Sequence, residues 1–132
     1  AKREIAAHFQ AGDHGSTYGG NPHGTAVARK VLEIMNRDNY VLKARLIEKL
    51  LTESLLSLPG ILSVRGKGAM LAAELDSQKS KEIAKTATER GLLVNPITSS
   101  ALRFTPPLTT TPSEIEEAID ILKGVLNDTT LT

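Results

Sequence analysis

Two places in this sequence hold side chains that could grip a charged ligand. The first is the stretch from 11 to 24, Ala-Gly-Asp-His-Gly-Ser-Thr-Tyr-Gly-Gly-Asn-Pro-His-Gly. Its glycines allow backbone N–H groups to come close to an anion, and Ser16 and Thr17 add hydroxyl donors. A helix starting near Pro22 would turn the positive end of its dipole toward the same place. Phosphate is the ligand such a loop suits. The segment matches neither the Walker pattern nor the dinucleotide G-x-G-x-x-G, so on spacing alone a purely structural loop ending in a capped helix accounts for it better than a phosphate contact does.

The second place is Arg103, between Leu102 and Phe104 in a short apolar run that ends at Thr105-Pro106-Pro107. In an extended strand successive side chains alternate, so Arg103 faces away from its two apolar neighbours. A planar guanidinium held there can take a carboxylate through two parallel hydrogen bonds. An exposed edge-strand arginine or a structural ion pair is the alternative. The three histidines suggest no metal: His14 and His23 share the loop without a ligand spacing, and His8 lies apart. No Ser/His/Asp grouping has the context of a nucleophile elbow.

The elements that must position these groups follow from periodicity. Asn21 caps and Pro22 opens a helix to about Arg37, with Val27, Val31, Ile34 and Met35 on one face. A second helix carries Leu42, Leu46, Ile47, Leu50, Leu51, Leu55 and Leu58, and Pro59-Gly60 ends it. Strands are expected at 61–64 and 69–75 around a turn at Arg65-Gly66-Lys67-Gly68. A third helix, capped by Ser77, reaches about Arg90, and Gly91 supplies its left-handed end. Strands at 92–94 and 101–104 come next. The last helix begins with Thr111, Pro112 and Glu114 in a capping box and carries Ile115, Ala118, Ile119, Leu122, Val125 and Leu126 at helical spacing. The tail from 127 to 132 is expected to fray. This order predicts an α+β fold, a small and mainly antiparallel sheet with helices packed on it.

Composition narrows the partners. Sixteen Lys plus Arg against 15 Asp plus Glu give no global field for nucleic acid or an anionic membrane. The absence of cysteine excludes disulfides and thiolate metal sites and suits a reducing compartment. No apolar run approaches the ~20 residues of a membrane span, so the chain reads as soluble and cytoplasmic. The opening at Ala1, without Met and leading straight into the Gly-rich loop, looks like a cut inside a longer protein.

The segment Gly12-Asp13-His14-Gly15-Ser16-Thr17-Tyr18-Gly19-Gly20-Asn21-Pro22 resembles the G-[D/E]-H-G-[S/T]-T-[F/Y]-G-G-N-P segment of class III aminotransferases, above all those acting on acetylornithine and ornithine. Val64-Arg65-Gly66-Lys67-Gly68-Ala69-Met70-Leu71, Gly91-Leu92-Leu93-Val94-Asn95-Pro96 and Leu102-Arg103-Phe104-Thr105-Pro106-Pro107-Leu108 are similar to further family segments, in the family's order. The resemblance implies the C-terminal small domain of a pyridoxal-phosphate-dependent transferase. Residues 1–24 would be its entry helix and interface loop, and residues 25–132 the domain proper.

In that family the residues matching Ser16 and Thr17 lie at a homodimer interface and contact the cofactor phosphate, and the residue matching Arg103 faces the substrate carboxylate. The implied reaction moves an amino group from N-acetylornithine to 2-oxoglutarate, giving N-acetylglutamate 5-semialdehyde and glutamate, a step of arginine biosynthesis. Ornithine is the alternative donor. The family's Schiff-base lysine lies upstream of the Gly-rich loop, and none of the nine lysines here takes its place. The chain is therefore expected to hold no catalytic residue and to be inactive alone. A stand-alone binding or interaction module that kept the fold is the alternative from another class.

Overall fold

The leucine stripe of the second predicted helix forms α3 (Tyr40–Leu56) in the computed structural model, which describes residues 1–130. Its apolar positions recur every three or four residues, so Ile47, Leu51 and Leu55 fall on one face and are buried. Asn39, in the left-handed conformation at φ 53°, starts the helix; Asn tolerates that region better than other non-glycine residues. By contacts the chain falls into two compact units, Ala1–Asp38 and Asn39–Thr132. The helix expected from Pro22 to about Arg37 lies in the first of these units.

The first unit holds α1 (Arg3–Ala6), the Gly-rich loop and α2 (Pro22–Arg37), none with a buried residue. The second holds α3 and a four-stranded antiparallel sheet in the order β1-β2-β4-β3, from β1 (Ile61–Lys67), β2 (Met70–Leu75), β3 (Asn95–Thr98) and β4 (Ala101–Phe104). Two further helices, α4 (Ser80–Glu89) and α5 (Pro112–Thr130), complete it. Leu71, Ala73 and Leu75 of β2 alternate onto the core face, as do Leu102 and Phe104 of β4. There they meet Ile47, Leu51 and Leu55 of α3, Ile83 and Ala87 of α4, and Ile115, Leu122 and Val125 of α5. The expected α+β class and antiparallel sheet are what the structure has.

Several boundaries differ from the sequence reading, each for a local reason. Strand β1 runs on to Lys67 and the reversal is the pair Gly68-Ala69, because Arg65, Gly66 and Lys67 pair with Ala72, Leu71 and Met70. At Gly66 φ is 133°, and a Cβ there would stand 2.1 Å from the Met70 carbonyl oxygen, so only glycine passes. Helix α4 begins at Ser80 with Lys79 as its cap position and no side-chain cap, not at Ser77. Ser80 is fully buried, and its hydroxyl donates to the Thr98 carbonyl.

Residues 92–94 form no strand. The N–H groups of Gly91 and Leu92 bond to the carbonyls of Thr88 and Ala87, a Schellman closure of α4 that uses the chain up to Leu92. The strand starts at Asn95 instead, and Pro96 is tolerated because β3 is the sheet edge. Asn127 to Thr130, expected to fray, stay helical: the buried Thr129 donates its hydroxyl to the Val125 carbonyl and accepts the Lys79 ammonium on its own carbonyl. The remaining two tail positions lie outside the described residues. Among the described residues no helix is long and apolar enough to cross a membrane.

Candidate functional site

In the Gly-rich loop one residue organises the junction with α2. The Asn21 side-chain oxygen accepts the Gly24 N–H at 2.8 Å, and its amide donates back to the Tyr18 carbonyl at 2.6 Å. The Asn21 carbonyl takes both the N–H and the hydroxyl of Thr25, at 3.0 and 2.9 Å. Pro22 has no N–H to offer. The helix start therefore gives an anion less than its position implies, since the caps already use those donors. Ser16 and Thr17 are different. Both are exposed, and neither hydroxyl has a hydrogen-bond partner among the described residues. The turn that presents them is tight, for a Cβ on Gly19 would stand 2.9 Å from the Ser16 Cβ. Two unengaged hydroxyls on such a turn are a donor set that fits a phosphate.

Arg103 belongs to the second unit. As the alternation rule requires, it is exposed between the buried Leu102 and Phe104. Strand register places Arg65, Ala72, Arg103 and Asn95 in one row across all four strands. Residues directly opposite each other share a sheet face. In this row Arg65 is already committed to Glu74, whose carboxylate lies 2.9 Å from its guanidinium. Ala72 adds no polar group, and Arg103 has no ion-pair partner among the described residues. It lines a groove of about 610 Å³, with Asn95, Phe104, Pro106 and Glu114 also in the wall.

Glu114 is the acid in that wall, yet it does not neutralise Arg103. Its carboxylate accepts the Thr111 N–H at 2.7 Å and the Thr111 hydroxyl at 2.8 Å, and those bonds hold its pKa below the ordinary value of 4.5. The capping box read from the sequence thus keeps a carboxylate occupied beside the groove and leaves the guanidinium available.

One polar cluster that no local motif announces is centred on Glu48 of α3. Its carboxylate takes the Lys67 ammonium at 2.9 Å and the Gly68 N–H at 2.7 Å, tying the β1–β2 turn to the helix. Lys67, followed by the Gly68 N–H, lowers the Glu48 pKa. The partners are 19 and 20 positions away, beyond any local motif. No group of His, Asp and Glu among the described residues could hold a metal ion. Ser16 and Thr17 therefore stand together in one unit and Arg103 in the other.

The aminotransferase class-III family model matches residues 1–126. The chain belongs to that family. Class-III aminotransferases generally depend on pyridoxal phosphate. An acetylornithine aminotransferase from Caldanaerobacter subterraneus is 38% identical over 130 residues, covering 96% of this chain and 33% of the relative. An ornithine aminotransferase from Schizosaccharomyces pombe is 33% identical, covering 97% of this chain and 31% of that protein. The crystal structure of acetylornithine aminotransferase from Elizabethkingia anophelis superimposes with a TM-score of 0.77 at 27% identity, covering 97% of this chain and 34% of that one. This class-III chain thus spans about a third of the length of the relatives it matches.

Proposed function

We propose that this chain is the C-terminal part of a pyridoxal-phosphate-dependent aminotransferase that passes an amino group from N-acetylornithine to 2-oxoglutarate in arginine biosynthesis. Its Gly-rich loop takes the cofactor phosphate at a homodimer interface, and Arg103 takes the substrate carboxylate. The observation that carries this reading is Arg103: an exposed guanidinium without an ion-pair partner, in the wall of a groove, in a chain of the class-III family. The named relatives include both acetylornithine and ornithine aminotransferases, so ornithine is kept as the second donor.

The work of the chain's own residues is binding. Thr17, with Ser16 beside it, donates hydroxyl hydrogen bonds to a phosphate dianion, each a charge-assisted bond stronger than a neutral one. Arg103 holds a carboxylate through two N–H groups and fixes the direction in which the substrate enters. The cofactor, when bound, supplies the electron sink and carries the amino group between donor and acceptor. The amine that moves the proton comes from another stretch of the polypeptide, and these residues orient what it acts on.

Full-length enzyme containing this chain, assayed with 2-oxoglutarate and each donor in turn, should form glutamate, faster with N-acetylornithine than with ornithine. Faster reaction with ornithine would transfer the reading to the second donor, and no glutamate with either would end it. The 132-residue chain alone should give no turnover.

A further inference from the structure

Directly across the β3–β4 ladder from Arg103 stands Asn95. Opposed residues on antiparallel strands have their Cβ atoms about 4.5–5.5 Å apart on the same face. Both residues are exposed, both line the groove of about 610 Å³, and the Asn95 side chain has no hydrogen-bond partner among the described residues. On the far side of Arg103 the row continues through Ala72 to Arg65, which Glu74 restrains. In the row across the sheet the neighbour of Arg103 on the edge side is therefore a neutral carboxamide, and the acid in the groove wall, Glu114, is engaged by Thr111.

A carboxylate gripped by a guanidinium fork still has lone pairs free on both oxygens. A carboxamide N–H beside the fork can donate to one of them, while its oxygen can accept a guanidinium N–H and steady the arginine. An acid at this position would pair with Arg103 and repel the ligand. An apolar residue would leave the free lone pair without a protein donor.

We propose that Asn95 is a second ligand to the carboxylate that Arg103 holds, and so sets the affinity for the 2-oxo acid. This rests on the reading of Arg103 as a carboxylate anchor, and its test keeps the two apart. In the full-length enzyme, Asn95→Ala, Asn95→Asp and, as reference, Arg103→Ala are compared by KM and kcat for 2-oxoglutarate. The inhibition constant of glutarate, a dicarboxylate of the same length that cannot react, is measured alongside.

Asn95→Ala should raise KM and the glutarate constant together by about 5- to 10-fold, as loss of one hydrogen bond in an exposed groove does, with kcat held within about twofold. Asn95→Asp should raise both further, by about 50-fold or more, because its carboxylate competes for the same guanidinium. If Arg103→Ala weakens glutarate while both Asn95 variants bind it within about twofold of the parent, Asn95 is no ligand and the Arg103 reading survives. A fall in kcat with the glutarate constant unchanged would likewise assign Asn95 a structural role. If Arg103→Ala leaves glutarate binding unchanged, the anchor itself is wrong and the Asn95 proposal falls with it.

Discussion

The first 38 residues and the rest of the chain differ in what their residues answer to. Up to Asp38 no side chain is buried, and Val27 on α2 remains 52% exposed, whereas Leu102 on β4 is 0% exposed within a core drawn from three helices and two strands. In the second unit, packing explains most apolar choices. In the first, local turn chemistry explains Asn21, Pro22 and Gly19, but it does not explain Ser16 and Thr17, whose hydroxyls have no hydrogen-bond partner among the described residues. Motif specificity therefore does not require a core. A segment can be sharply specified by its turns and, on the proposed reading, by a ligand.

Substitutions that separate the two units sharpen this contrast. Leu102→Ala should cost about 2–5 kcal/mol of unfolding free energy, through lost burial and the cavity left behind. Gly66→Ala, which puts a Cβ against the Met70 carbonyl at a φ of 133°, should cost about 2–4 kcal/mol. Val27→Ala in the 132-residue chain should change it by no more than about 0.5 kcal/mol. Denaturant unfolding checks all three. A loss for Val27→Ala equal to that for Leu102→Ala would break the contrast.

A ligand-side comparison has a smaller expected effect. Thr17→Ala in the full-length enzyme should weaken pyridoxal phosphate about 10-fold, about 1.4 kcal/mol, and leave the unfolding of the cofactor-free protein unchanged. Ser16→Ala should do less. Cofactor titration followed by absorbance measures both, and unchanged affinity in the Thr17 variant would return the loop to a purely structural role.

Acid is the mildest probe. Glu48 and Glu114 have pKa values below the ordinary 4.5, so the folded state binds fewer protons than the unfolded state where they titrate. Their contribution to stability is complete above the unfolded value and is lost as the pH falls through the depressed folded values. Melting temperature should therefore drop below about pH 4.5, with a shallower drop in Glu48→Gln and Glu114→Gln. Parallel melting curves for parent and variants would assign the acid loss to other groups.

Much of the fold was legible because helices and their caps are local. The capping box at Thr111 to Glu114, the Asn21-Pro22 start and the Gly91 closure all stand where the sequence placed them. Strand limits were less legible because pairing partners set them. Arg65 to Lys67 read as a turn until their register with Met70 to Ala72 is seen, and the strand expected at 92–94 begins at Asn95 because a helix closure uses Gly91 and Leu92. Arg103 was legible through alternation. The places of Asn95 and Glu48 were not, since strand pairing sets the first and a bond across 19 positions the second.

Arg103 as the carboxylate anchor is most directly tested by Arg103→Ala in the full-length enzyme, read as KM for 2-oxoglutarate. Loss of a charge-assisted pair worth about 1.5–3 kcal/mol predicts a rise of about 10- to 150-fold, partly recovered in Arg103→Lys, which restores the charge without the fork. A KM unchanged from the parent would contradict it.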